Sequence, residues 1–210
     1  MYVFMMKLNA KSNEKLFTIG HSNHSFVRFL ELLESQGISA IVDVRSAPYS
    51  RYCPQYNKDA LEKSLQSSGI EYIFLGKELG ARRIEENCYI KGQVQFELIA
   101  ELPIFQAGLE RVFQEIGKGK AALMCAEAEP LNCHRMILIC RQLKKINPDV
   151  QITHILGDGS KESHEETEQR LVRLHKLEPE LFGELSSQAA LIEKAYQFQE
   201  DKITIKKQSK

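Results

Sequence analysis

Short apolar runs alternate with amphipathic stretches along most of this chain. Leu16-Phe-Thr-Ile-Gly20 is apolar and ends in glycine, which predicts a short buried strand. After Ser25, a residue suited to capping a helix, Phe26, Phe29, Leu30 and Leu33 recur at i, i+3, i+4 and i+7. That spacing lines one helix face, and Gly37 ends it. Ile38–Val44, rich in β-branched residues, predicts a second strand. Pro48 and Pro54 break the polar stretch from Arg45 to Tyr56 into a loop. Asn57 opens a helix to about Ser67, Gly69 closes it, and Glu71–Leu75 predicts a third strand. Gly76–Leu102 has no clear period and is expected to be an irregular insertion with one short helix. Pro103 suits the first turn of a helix reaching Ile116. Ala121–Cys125 predicts the fourth strand, Cys133 to about Ile146 its helix, and Gln151–Leu156 the fifth strand, before the turn Gly157-Asp-Gly159. Two charged helices, about Ser163–Lys176 and Pro179–Asp201, precede a frayed tail at 206–210.

Strands alternating with helices imply right-handed crossovers and a mostly parallel sheet. The expected fold is α/β: a single Rossmann-like three-layer domain with about five strands and a C-terminal helical extension. The expected bounds are 16–160 for the sheet domain and 161–201 for the extension, with 1–15 and 202–210 as tails. Ligands in such sheets bind beyond the carboxyl ends of the strands. Applied here, that rule gathers residues distant in sequence: His21 and Ser22 after strand one, Asp43, Arg45 and Arg51 at and after strand two, and Cys125 and Glu127 at strand four. His154 and Asp158 lie near the end of strand five; Gly-Asp-Gly is read as an ordinary turn.

Composition narrows the partners. Lysine and arginine (28) balance aspartate and glutamate (28), so no global basic field draws the chain to nucleic acid or an anionic membrane, though a local patch stays open. No apolar run approaches a membrane span. The five cysteines are an odd number without close pairs, and Met1–Met6 is too short for a signal-peptide core. The expectation is reduced thiols and a cytoplasmic location.

The densest chemistry is Cys125-Ala-Glu-Ala-Glu-Pro-Leu-Asn-Cys-His-Arg135, a polar loop between a strand and a helix N-terminus. With Asn132 as the expected cap, Cys133 falls in the first helical turn, where Arg135 and the helix dipole favour thiolate. Packing as a small buried residue fits Cys133 equally well, and Cys125 slightly better. Glu127 fits a general acid/base or a loop cap. His134, about 100° round an α-helix from Cys133, is expected to point elsewhere and stitch the loop. His21 or His154 is a possible base for a thiol, beside a structural role. Arg45, Arg51 and Arg135 suit an anion pocket or salt bridges to Asp43, and three arginines at one edge favour the anion pocket. Tyr49, Tyr52 and Tyr56 suit base stacking or packing.

Thr18-Ile-Gly-His-Ser22, Asp43-Val-Arg-Ser-Ala-Pro48, Ser50-Arg51, Leu79-Gly80, Cys125-x-Glu127 with Cys133-His-Arg135, and His154-Ile-Leu-Gly-Asp-Gly159 together resemble the family catalogued as domain of unknown function 488. Ala81 departs from the glycine the family often carries there. The resemblance implies a shared site without naming its reaction. The leading expectation is an enzyme acting through a thiol, Cys125 or Cys133, on an anionic substrate: a phosphorylated small molecule, a nucleotide or a nucleic-acid end. Glu127 or His21 would move protons, and Ser22, Asp43, Arg45, Arg51, His134 and Arg135 would shape the ligand site. The rivals are a non-catalytic nucleotide or nucleic-acid-binding module, and a metalloprotein using Cys125, Cys133 and His21 or His154. The leading reading includes no metal, and neither a cofactor nor an oligomeric state can be read.

Overall fold

A computed structural model describes residues 14–178 and 187–204. Its centre is a six-stranded sheet formed by β1 (Lys15–Gly20), β2 (Ala40–Asp43), β3 (Glu71–Phe74), β6 (Ala121–Cys125), β7 (Gln151–Ile155) and β8 (Lys161–Ser163). The order across the sheet is β3-β2-β6-β1-β7-β8. All pairings are parallel except β7 with β8. The five expected strands are present, and β8 is an antiparallel edge addition. Because β6 lies between β2 and β1, the carboxyl ends of these three strands sit side by side at the middle of one edge.

Alternate residues of each strand feed two cores. Phe17, Ile19, Ile41 and Met124 face α1 (Phe26–Gln36) and α2 (Lys58–Ser67), meeting Phe29, Leu33, Leu61 and Leu65. Leu16, Val42 and Leu123 belong to the opposite core with Leu109, Ile139 and Leu143. This face holds α5 (Pro103–Lys118) and the helical stretch after β6. Ser25 caps α1 by accepting from the Arg28 N–H, and Gly37 ends it in the left-handed region at φ 65°, as the sequence predicts. The region 76–102 resolves into α3 (Gly76–Leu79), a hairpin of β4 (Tyr89–Ile90) and β5 (Gln93–Val94), and α4 (Phe96–Ala100).

The helix after β6 is not a plain α-helix. Arg135–Cys140 is π-helical and runs into α6 (Arg141–Ile146). A π-turn is rare and accompanies functional sites more often than chance. The C-terminal part comprises α7 (His164–Leu174), opened by a full Ser163–Glu166 capping box, and α8 (Gln188–Ile203). Leu171, Leu191 and Tyr196 join the main core. The expected start of the last helix, at 179–186, and the tail at 206–210 lie outside the described residues. No helix among the described residues is long and apolar enough to cross a membrane.

A buried polar chain joins α8 to the sheet. The Thr18 hydroxyl lies 2.7 Å from His154 Nδ1, His154 Nε2 3.2 Å from His164 Nδ1, His164 Nε2 3.2 Å from the Tyr196 hydroxyl, and that hydroxyl 3.0 Å from Glu168. His154 is therefore a linked interior residue, and burial holds both of these histidines neutral.

Candidate functional site

β1 and β6 stay zipped together beyond the sheet. The His21 and Ser22 N–H groups donate to the Cys125 and Ala126 carbonyls, each at 2.9 Å. The loop after β6 then folds across the end of β1, so closely that a side chain at Gly20 would overlap the Glu127 carbonyl. Glycine there lets the Cys125–Glu127 turn form. Arg135, fully buried, holds the same loop from below. Its guanidinium donates to the Glu127 carbonyl, to the Ala128 carbonyl at 3.0 Å and to the Thr18 hydroxyl at 3.4 Å.

Four side chains converge at this edge. Glu127 Oε2 lies 2.9 Å from Cys125 Sγ and 3.1 Å from Cys133 Sγ. His134 Nδ1 lies 3.7 Å from Cys125 Sγ and 4.0 Å from Cys133 Sγ. The four donor atoms all lie within 4.8 Å of one another. His134 therefore points into the cluster, against the expectation that it points away. The reason is one backbone angle pair. Cys133 is extended (φ −134°, ψ 136°), so the 100° step of an α-helix does not separate it from His134.

Asn132 does not cap this helix, because it closes a tight turn over Pro130–Asn132. Cys133 takes that place: its carbonyl accepts from the Met136 and Ile137 N–H groups, and its sulfur from the Arg135 N–H at 3.5 Å. A sulfur in the position usually held by a serine or aspartate oxygen meets the positive end of the helix.

The electrostatics follow from these contacts. Burial disfavours a Cys133 thiolate, but the bond from Cys125, the buried Arg135 charge and His134 outweigh it and hold that thiol well below its ordinary range. Cys125 is pushed well above its ordinary value, by its bond to Cys133 and then by burial. Glu127 is exposed towards the cleft, but protein packed round its carboxyl desolvates it, and that first and the neighbouring Cys133 charge second raise it. Burial opposes protonation of His134, yet its bond to Cys133 raises it. His134 Nε2 lies 3.1 Å from the Val44 carbonyl. A carbonyl can only accept, so Nε2 carries the proton of a neutral ring and Nδ1 is the atom offered to the cluster.

The predicted anion residues divide differently. Asp43, fully buried, receives Nε of Arg45 at 2.9 Å, its NH2 at 2.6 Å and the Tyr72 hydroxyl at 2.7 Å. Arg45 also donates to the Tyr56 carbonyl at 2.8 Å and to His21 Nε2 at 3.1 Å. The His21 ring stacks on Tyr56 and donates from Nδ1 to the Ser22 carbonyl at 2.8 Å. Burial and the Arg45 charge lower its pKa to about 4. His21 is thus tied to Arg45 rather than to either thiol. Ser22 turns the chain at φ 48° with its side chain on Asn23. Arg51 is exposed, and its side chain meets no partner among the described residues. Of the three predicted arginines, only Arg45 faces the cleft over the cluster.

That cleft has a volume of about 220 Å³. Cys125, Glu127 and His134 face it from one side, and Arg45, Tyr49 and Arg82 complete its walls. Cys133 is not among its lining residues, and a smaller recess of about 70 Å³ lies across Glu127 and His134. Arg82 escaped the sequence reading because it lies in the aperiodic stretch. Its backbone N–H donates to Ser46 at 2.9 Å, which ties the two loops, and its guanidinium has no partner among the described residues.

A family model, Domain of unknown function DUF488, matches residues 25–141. The match spans Asp43, Arg45, Arg82 and the whole Cys125–Arg135 segment. No curated protein and no solved structure matches the chain.

Proposed function

The chain belongs to the DUF488 family, and since that description leaves the reaction open, we propose from the geometry that the protein is an enzyme acting on a small anionic substrate, a phosphorylated molecule or a nucleotide. The observation that carries this reading is the cleft itself: the Arg82 guanidinium, without a partner among the described residues, faces the same space as Cys125, Glu127 and His134. A guanidinium fork matches phosphate or carboxylate oxygens. Tyr49, 61 % exposed at the rim, offers a ring on which a nucleobase would stack. The non-catalytic rival gives no role to the convergence of Cys125, Cys133, Glu127 and His134 at the cleft. The reading places the protein in the cytoplasm, since the site requires reduced thiols.

In this reading Arg82 holds the anion, Arg45, its guanidinium paired with Asp43, walls the cleft, and Cys125 and Glu127 touch the reacting group. Glu127, with its raised carboxyl, gives or takes a proton. Cys125 lines the cleft and is the sulfur that meets substrate, while Cys133 stays behind it. For Cys125 to react, its proton must pass to Glu127 Oε2, 2.9 Å away, with the carboxyl ionised at that moment.

Calorimetric titration with inorganic phosphate and with a nucleoside diphosphate tests the anion site. One saturable site is expected, and Arg82→Ala should weaken it by about 10–100-fold, the range for hydrogen bonds to charged groups. Equal affinity in wild type and variant would remove Arg82, and with it the anion cleft, from the account.

A further inference from the structure

We propose that Cys125, Cys133, His134 and Glu127 are the ligands of one divalent transition-metal ion, of the zinc class, with Glu127 as the exchangeable ligand that faces the cleft. The proposal rests on the reading above only for the anion cleft: with the metal bound, Cys125 and Glu127 are ligands, which replaces their roles as nucleophile and proton carrier, and the metal site stands on the cluster alone and does not need the anionic substrate.

The donor set comes first. Two cysteine sulfurs, one imidazole nitrogen and one carboxylate oxygen lie together on the last residue of β6, the following loop and the start of the next helix. Thiolate and imidazole together select zinc-like ions over magnesium or calcium. Tetrahedral coordination with Zn–S of about 2.3 Å and Zn–N or Zn–O of about 2.0–2.2 Å separates neighbouring donors by roughly 3.5–3.8 Å. The sulfur–nitrogen distances here are 3.7 and 4.0 Å. The sulfur–oxygen distances, 2.9 and 3.1 Å, are shorter by an amount that a small rotation of the Glu127 side chain relieves.

The surroundings come second. Metal-binding histidines characteristically donate their other ring nitrogen to a carbonyl or carboxylate, which fixes the tautomer and the ring plane. His134 does this with the Val44 carbonyl at 3.1 Å and turns Nδ1 to the sulfurs. Cys125 and Cys133 are 3 % and 1 % exposed, held by a strand end and a helix cap, whereas Glu127 is open to the cleft. Three fixed ligands and one at the opening is the arrangement of a catalytic metal site, where water or substrate takes the fourth position. Binding breaks the remaining S–H bonds, releases those protons to solvent and forms metal–sulfur bonds, with no change of oxidation state. The metalloprotein expectation had looked to His21 or His154, but these bind Arg45 and His164 instead.

The test uses the full chain, reduced, stripped with a chelator and titrated with Co²⁺ alone and then Zn²⁺ alone, with no anionic ligand present. The expected result is one equivalent of Co²⁺, with a thiolate-to-cobalt charge-transfer band and the intense visible bands of a tetrahedral site. Zn²⁺ should displace it and raise the melting temperature. Losing a residue that only supports a ligand costs about 10–100-fold in metal affinity, so Cys125→Ser, Cys133→Ser and His134→Ala should each cost more than about 100-fold. Glu127→Gln should keep the thiolate band and bind more weakly. No saturable binding to wild-type protein, a bound ion without a thiolate band, or a band that survives loss of both cysteines would each overturn the proposal. The wild-type titration decides it even where a variant does not fold. Because only the metal is measured, its failure would leave the anion reading standing, and the reverse.

Discussion

Arg135→Met should lower unfolding free energy by about 3–5 kcal/mol, the range for removing one partner from a buried charged network. Arg135 is fully buried and donates to two carbonyls of the Glu127–Ala128 turn and to Thr18. Methionine fills much of the volume and leaves those carbonyls without their donors. It also removes the positive charge that favours the Cys133 thiolate. Urea denaturation would measure the loss, with Arg135→Lys recovering the charge but not the forked geometry. The guanidinium does not line the cleft, so folded variant should keep its affinity for phosphate. Unchanged stability with lost anion binding would return Arg135 to the anion pocket that the sequence suggests.

A second large effect should appear with acid. His21 and His164 have pKa values lowered to about 4, and His154 is lowered further in the same direction, in each case by burial first. An unfolded histidine titrates near 6.5. Below that pH the unfolded chain takes up protons that the folded protein refuses. The stability these groups confer is complete above about pH 6.5 and falls as the pH drops towards 4. The slope is about 1.4 kcal/mol per pH unit for each histidine, so the two at about 4 together cost about 4 kcal/mol by pH 5. Unfolding midpoints at pH 7, 6 and 5 would show the decline, and His164→Asn should make it shallower. Equal stability at pH 7 and 5 would mean that these rings are not held neutral in the fold.

Most of the framework was legible because it rests on local patterns. The i, i+3, i+4 face of α1 and the apolar runs of β1, β2, β6 and β7 each state an element without reference to the rest of the chain. β8 was not legible: Lys161-Glu-Ser163 carries no β-branched or apolar residue and pairs only because β7 offers an edge. The elements inside 76–102 are two to five residues long, too short for any period to show. Cys125, Glu127, Cys133 and Arg135 stand out by density in sequence, and the fold rule places Cys125 and Glu127 at one edge. The inward aim of His134 does not, because it depends on one extended residue ahead of a π-turn. The pairing of His21 with Arg45, and the place of Arg82 opposite Cys125, come from loops whose course is set by tertiary contacts.

The central claim is that the cleft over the Cys125–Glu127–Cys133–His134 cluster is where this protein meets its ligand. The measurement that tests it most directly is a backbone amide NMR titration with a nucleoside diphosphate. Saturable shifts concentrated at Arg45–Tyr49, Ala81–Arg82 and Cys125–Glu127 are predicted. Saturable shifts on another face, or no saturable shifts, would contradict the account.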